Sequence, residues 1–449
     1  VTAHNTNISL GWDLPDIAAA VGGRLIGTPT VIERVSTDSR EQLDGALFVA
    51  IRGQIFDGHD YARAALEGGA SAALAEANAG LSVEPRIEVT DTGDALLALA
   101  AKRRAELTMP VVAITGSTGK TSTKDLISAG IEGCWASPRS FNNEIGVPLT
   151  VLSTPDDATA LVLEVGSRGG GHITWLTDAI APDIAVVTNL GVVHLETFGS
   201  EAGLADAKYE LIHMLDAEGT AVVPSDEPRL LRDHAADRIT FGSEAGDVRY
   251  GHVELDARGR PSFVIYIAGR AIPIELEIVG AHQAPNAAAA MGVALALGLD
   301  LDDFANRLGR TTGSAWRMDV HTGRFTVVND AYNANPQSVE AALRTVVAMG
   351  GRRAIAVLGP MAELGSVCER EHCRIGELAR DLGVDELVVV GADHGYVLGA
   401  DGLVRNAADL EDAADILHAI AEPGDVVLVK ASRSAGLERL AIALAEDAA

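Results

Sequence analysis

A chain of 449 residues has room for about three domains, each with its own buried core. With 47% hydrophobic and 22% charged residues it is globular, which excludes an intrinsically disordered chain. Lys+Arg number 35 against 63 Asp+Glu, a net charge of −28; so acidic a surface repels nucleic acid and anionic membrane, and any phosphate has to be held locally by backbone amides, a few cations and a metal.

The opening residues, Val1 to Leu14, have no basic stretch and no long apolar core, so no signal peptide is expected. Up to Leu107 the elements are short: helix at 14–21, strand at 46–51, helix at 61–68, strand at 72–75 and helix at 92–107. Pro110 biases the residue before it away from helix, which puts a first domain at 1–108. A buried strand at 111–114 follows, then a Gly-rich turn and a helix. Further apolar runs at 160–164, 184–188 and 219–223 alternate with helical stretches, as in a parallel sheet covered on both faces. The period-two stretch 249–278 suggests an antiparallel addition, and an Ala-rich helix is expected at 286–297. The longest apolar run, Ala287 to Leu299, is 13 residues, where a membrane helix needs about 20. A soluble, cytoplasmic protein is therefore expected. The second domain is placed at 109–321.

From 322 to 449 the alternation is regular, with strands at 326–329, 354–358, 387–390 and 426–429 and helices at 338–349, 370–382, 410–420 and 437–446. The class is α/β, with three domains: an N-terminal domain, a central parallel-sheet domain and a C-terminal Rossmann-like domain. Three cysteines, Cys134, Cys368 and Cys373, are too few for a disulfide framework. His372 lies between the last two, but no second ligand pair accompanies them.

The strongest chemical signal follows the strand at 111–114: Thr115-Gly116-Ser117-Thr118-Gly119-Lys120-Thr121. Glycines let successive amides point at phosphate oxygens, and the next helix adds its N-terminal dipole. Lys120 would neutralise β/γ-phosphate charge, and the Thr121 hydroxyl would ligate Mg2+. Ile114 stands where the longer G-x4-G-K-[ST] form has glycine, so this is the shorter T-G-x-x-G-K-T form of an ATP site. The loop alone does not separate kinases, motors and ligases.

Glu164 ends one apolar run and Thr188-Asn189 another, and strand C-termini converge on the ligand crevice of an open parallel sheet. Glu164 and His194, in the loop after Asn189, are thus candidates for a metal near γ-phosphate. Taken alone, Glu164 reads equally as a strand-end charge and His194 as a cap or core residue. Lys208 reads on pattern as a solvated helix lysine.

Several segments together resemble the Mur ligases, ATP-dependent amide ligases that build the peptide of the bacterial cell-wall precursor. The resemblance starts at Ser36-Thr37-Asp38-Ser39-Arg40, passes through the phosphate loop, Asn142-Asn143-Glu144, Glu164, Ala207-Lys208, Gly280…His282-Gln283…Asn286 and Trp316-Arg317-Met318, and ends with Asp330-Ala331-Tyr332-Asn333-Ala334-Asn335-Pro336 and Lys430-Ala431-Ser432-Arg433. The resemblance implies an acyl-phosphate mechanism, with an N-terminal substrate domain for the UDP end, a central P-loop ATPase domain and a C-terminal domain for the incoming amine. The substrates would be UDP-N-acetylmuramoyl-tripeptide and D-alanyl-D-alanine; a ligase for another amine or acyl acceptor is the alternative. It implies that Ser39 and Arg40 contact the UDP end, that Asn142 and Asn143 face the muropeptide, and that Tyr332, Asn333 and Asn335 lie on the C-terminal domain's nucleotide-facing loop. Thr121, Glu164 and His194 would hold magnesium, Asn286 adenine, and Arg317 and Asp330 the phosphate and ribose. Lys120, Glu164, His194 and Lys208 would be the catalytic set, with Lys208 carrying a carbamate, and the enzyme would work as a monomer. Thr118 stands where the family usually has Asn, Pro360 where Asp is common, and 166–172, ending in His172, replaces a typical M-G-A-R-x-P-G-E.

Overall fold

The computed structural model describes residues 9–53, 55–191, 198–391, 395–400 and 402–448; His194 lies outside them. Its centre is a nine-stranded sheet. From one edge the order is Arg270–Glu275, Pro261–Ile267, Val248–Leu255, Asp237–Gly242, Thr220–Pro224, Ile184–Val187, Val111–Thr115, Ala160–Glu164 and Cys134–Ala136. The pairs from Cys134–Ala136 through Val248–Leu255 are parallel, and the last two strands join antiparallel, as the period-two pattern led one to expect.

The strand Val111–Thr115 explains the architecture. All five residues are buried, and their pleat sends alternate side chains to opposite faces. Val112 and Ile114 enter a core closed by the helices Lys120–Gly130 and Gln283–Ala296. Val111 and Ala113 enter another, closed by Thr92–Glu106, Gly146–Leu152, His172–Ile180 and Glu201–His213. Val111–Thr115 pairs with Ala160–Glu164 on one side and Ile184–Val187 on the other, so the chain order reverses there and a crevice opens at the strand ends.

The C-terminal sheet runs Asp319–Thr322, Thr326–Asn329, Val426–Lys430, Ala354–Leu358, Glu386–Val390, Val404–Ala407, parallel except for the first pair. The two edge strands were not anticipated, being short and partly exposed. The N-terminal sheet runs Arg24–Ile26, Arg86–Val89, Ala72–Glu76, Ala46–Val49, Arg34–Ser36.

The helix Thr92–Glu106 starts at Asp91, whose carboxylate accepts from the amides of Gly93 and Asp94. It serves two cores: Ala95, Leu96 and Leu99 pack in the N-terminal cluster, Leu97 and Ala100 in the central one. Among the described residues no helix is long and apolar enough to cross a membrane.

Candidate active site

The phosphate loop sits at the switch point. Gly116 (φ +143°) and Gly119 (φ +78°) take backbone conformations that suit glycine. A Cβ on Gly116 would collide with the Thr188 hydroxyl, and one on Gly119 would lie 2.5 Å from Asn286 Oδ1. The end of Ile184–Val187 buttresses the loop. Thr118 N donates to Asn189 Oδ1 (3.0 Å), Asn189 Nδ2 donates to Thr118 Oγ1 (2.6 Å), and Gly191 N donates to Ser117 Oγ (2.9 Å). Thr118, where the family usually has Asn, is thereby tied to the neighbouring strand. Lys120 Nζ donates to Gly116 O at 2.8 Å, and burial pushes its pKa below the usual lysine value.

Glu164, 1% exposed at the end of its strand, links two sides of the crevice. Its Oε2 accepts from Thr121 Oγ1 at 2.8 Å and its Oε1 from Asn142 Nδ2 at 2.7 Å. Among the described residues it forms no ion pair within 4 Å, and the positive charge that its field favours is that of Lys120 on the phosphate loop. Lys208 is not on a solvated face, as its sequence pattern led one to expect. It is 3% exposed, and its Nζ donates to Thr115 Oγ1 at 3.3 Å. Burial first, then the charge of Lys120, pull its pKa down to about 7, with Glu210 opposing.

The C-terminal domain supplies the facing wall. Asp330 accepts from Met318 N (3.1 Å) and from Lys430 Nζ (2.6 Å), and Lys430 also donates to Asn333 O at 2.8 Å. Arg317 stacks on the Tyr332 ring at 4.1 Å, and the Tyr332 hydroxyl hydrogen-bonds Ser140 beside Asn142. One cleft of about 1310 Å³ unites these groups. Gly116 to Thr121, Asn142, Asn143, Glu164, Lys208, Asn286, Arg317, Asp330, Tyr332, Asn333 and Asn335 all line it. Thr115 lies buried beneath the loop. Asn286 is in the first turn of its helix, with Nδ2 donating to Gln283 Oε1.

The residues of the chain match three family descriptions. The Mur ligase family catalytic domain matches 31–104, the Mur ligase middle domain 114–294, and the Mur ligase glutamate ligase domain 316–433. The UDP-N-acetylmuramoyl-tripeptide–D-alanyl-D-alanine ligase of Mycobacterium tuberculosis is 38% identical over 92% of both chains. This chain belongs to the Mur ligase family. The ligase of the same name from Escherichia coli is 32% identical over 97% of this Mur ligase and 98% of its own length. The crystal structure of MurF from Acinetobacter baumannii superposes with a TM-score of 0.90 at 28% identity, covering 98% of this chain and 100% of that one. The Thermotoga maritima MurF complexed with ADP gives a TM-score of 0.84 at 28% identity, over 92% and 97%.

Ser39 and Arg40 of this Mur ligase are not among the residues lining the cleft. Arg40 is exposed and held by Asp38 through Nε–Oδ1 (2.8 Å) and Nη2–Oδ2 (2.6 Å), a pairing that lowers the Asp38 pKa to about 2. His194 cannot be placed, lying outside the described residues. Sequence reasoning gave Lys430 and Ser140 no site role. Lys430 carried a usable signal, for like Glu164 it closes a buried apolar run at a strand's C-terminal end. Ser140 carried none.

Proposed function

We infer that this Mur ligase joins D-alanyl-D-alanine to UDP-N-acetylmuramoyl-tripeptide with ATP, through an acyl phosphate, in peptidoglycan precursor synthesis. The observation that carries the reading is the pair of bonds to Glu164. Thr121 on the phosphate loop and Asn142 on the muropeptide side grip the two oxygens of one buried carboxylate. A γ-phosphate and an acceptor carboxylate brought to the crevice would meet there. Full-length relatives of that name at 38% and 32% identity support the substrate pair.

In the reaction, an oxygen of the tripeptide carboxylate attacks the γ-phosphorus and the bond to ADP breaks. The dipeptide amine then attacks the acyl carbon, loses its proton, and phosphate leaves. The electrostatic problem is the approach of two anions. The loop amides and Lys120 take up phosphate charge, and Asn142 keeps Glu164 turned towards Thr121. The donor set fits magnesium: one carboxylate and one hydroxyl, both hard oxygens, with the remaining positions open to phosphate and water. Bound there, the ion would screen the phosphate charge. His194 is proposed as a further ligand.

Lys208 is proposed to act as a carbamate. Its neutral amine adds to CO2, releasing a proton and leaving a carboxylate on a long arm facing Thr115. Asn286 is assigned to adenine, Arg317 and Asp330 to phosphate and ribose, Ser39 and Arg40 to the UDP end, and Asn143, Tyr332, Asn333 and Asn335 to the remaining substrate contacts. The domains are assigned as 1–108, 109–321 and 322–449, with the last boundary drawn back to the start of Asp319–Thr322, since that strand pairs within the C-terminal sheet. The enzyme is proposed to work in the cytoplasm as a monomer.

Purified protein incubated with Mg-ATP and UDP-N-acetylmuramoyl-tripeptide should release phosphate only when D-alanyl-D-alanine is added, with the pentapeptide product seen by mass. Release supported by a different amine would keep the phosphate site and overturn the substrate assignment.

A further inference from the structure

Between Glu164 and Lys208 the chain builds a connection that the mechanism above leaves unused. The stretch after Glu164 is anchored by Gly166 N, which donates to Asn142 O at 2.7 Å. It then enters the helix His172–Ile180, whose first amides need acceptors. No side chain of its own caps this helix. The acceptor comes from Glu210, on the helix Glu201–His213, two residues beyond Lys208. Glu210 Oε1 accepts from Gly171 N at 2.6 Å, and Oε2 accepts from Thr174 N at 3.0 Å and Thr174 Oγ1 at 3.2 Å. A carboxylate at a helix N-terminus also meets the favourable end of the dipole. His172, the first residue of the helix, brings no carboxylate of its own to this end.

We propose that Glu210 is a positioning residue: by gripping the N-terminus of His172–Ile180 with both oxygens, it fixes the Lys208 helix relative to the loop that follows Glu164. The circuit closes on the phosphate loop, since Lys208 reaches Thr115 and Glu164 reaches Thr121. The two helices share one core, so a slip small enough to keep that core packed would still move the Lys208 arm against the γ-phosphate position. The proposal rests on the role given to Lys208 above.

Glu210→Ala and Glu210→Gln separate this role from the alternatives. Glutamine keeps the shape but offers one acceptor oxygen; its NH2 would face an amide N–H, so the grip is lost. Both variants should lower kcat roughly ten- to a hundredfold at every pH, with the ATP KM nearly unchanged and the unfolding temperature within a few degrees of wild type. In a Lys208→Ala background, rescued with a short carboxylate, either change should cost nothing further. A Glu210 that acted only through its charge would hinder deprotonation of Lys208, so Glu210→Gln would move the acid limb of the profile to lower pH without loss of kcat; that result overturns the proposal. An equal loss in the Lys208→Ala background marks a purely structural role and also overturns it. Lys208→Ala at the wild-type rate would instead remove the Lys208 role, and the proposal with it.

Discussion

Lys208 follows Ala207 and precedes Tyr209-Glu210, neighbours that suit a solvated helix face, yet its amine is buried against Thr115. Burial is what makes it chemically unusual. With a pKa of about 7, the amine is largely neutral above that pH and protonated below it. Only the neutral form adds CO2, so the carbamate should be lost as pH falls through 7. Activity in CO2-depleted buffer should therefore drop more steeply from pH 8 to pH 6 than activity with added bicarbonate; superimposable profiles would reject the carbamate. Lys120→Ala should lower turnover by about a thousandfold with an unchanged circular dichroism spectrum, since it removes charge at the transferred phosphate and little packing. At this scale the sequence was legible where a charge ends a buried apolar run, as at Glu164. Lys430 ends such a run too, and its bond to Asp330 shows that the same signal deserved the same reading. Lys208 was legible only through family resemblance, because the helix that buries it is held by contacts remote in sequence.

The phosphate loop works as an element because two glycines allow a path other residues would block. Gly119→Ala would place a side chain at φ +78°, at a cost of about 1–2 kcal/mol, and press on Asn286. The ATP KM of that variant should rise at least tenfold in steady-state assays, while Lys120 and Thr121 keep their identities. An unchanged KM would mean that the loop adapts and that its observed shape is not required. The buried parallel strands could be read from the sequence because both faces are covered, which turns them into continuous apolar runs. Cys134–Ala136, Asp237–Gly242 and Val404–Ala407 gave no such run, for each is only partly buried. The helix Gly146–Leu152 was hidden by Pro148, a residue that argues against a helix interior.

At the scale of the molecule the cleft is made by domains meeting, and that meeting was the least legible feature. Ser140 and Tyr332 touch across it although they lie 192 residues apart. The helix Thr92–Glu106 joins the other pair of domains more firmly, because adjacent leucines serve different cores. Leu96→Ala and Leu97→Ala should each destabilise by about 2–5 kcal/mol. Calorimetry of either variant should show the N-terminal and central domains melting in one shared transition at a lower temperature. Two separated transitions would show that the helix does not couple them.

The double allegiance of that helix also bears on how such ligases could exchange parts. A graft that brought in a foreign N-terminal module up to residue 91 would have to fit the host's Leu96 and Leu99. One that ran through residue 106 would have to supply Leu97 and Ala100 for the host's central sheet. Either seam cuts through a working surface, so a hybrid with a new nucleotide-sugar specificity would carry over the helix and both of its faces as a single inherited piece.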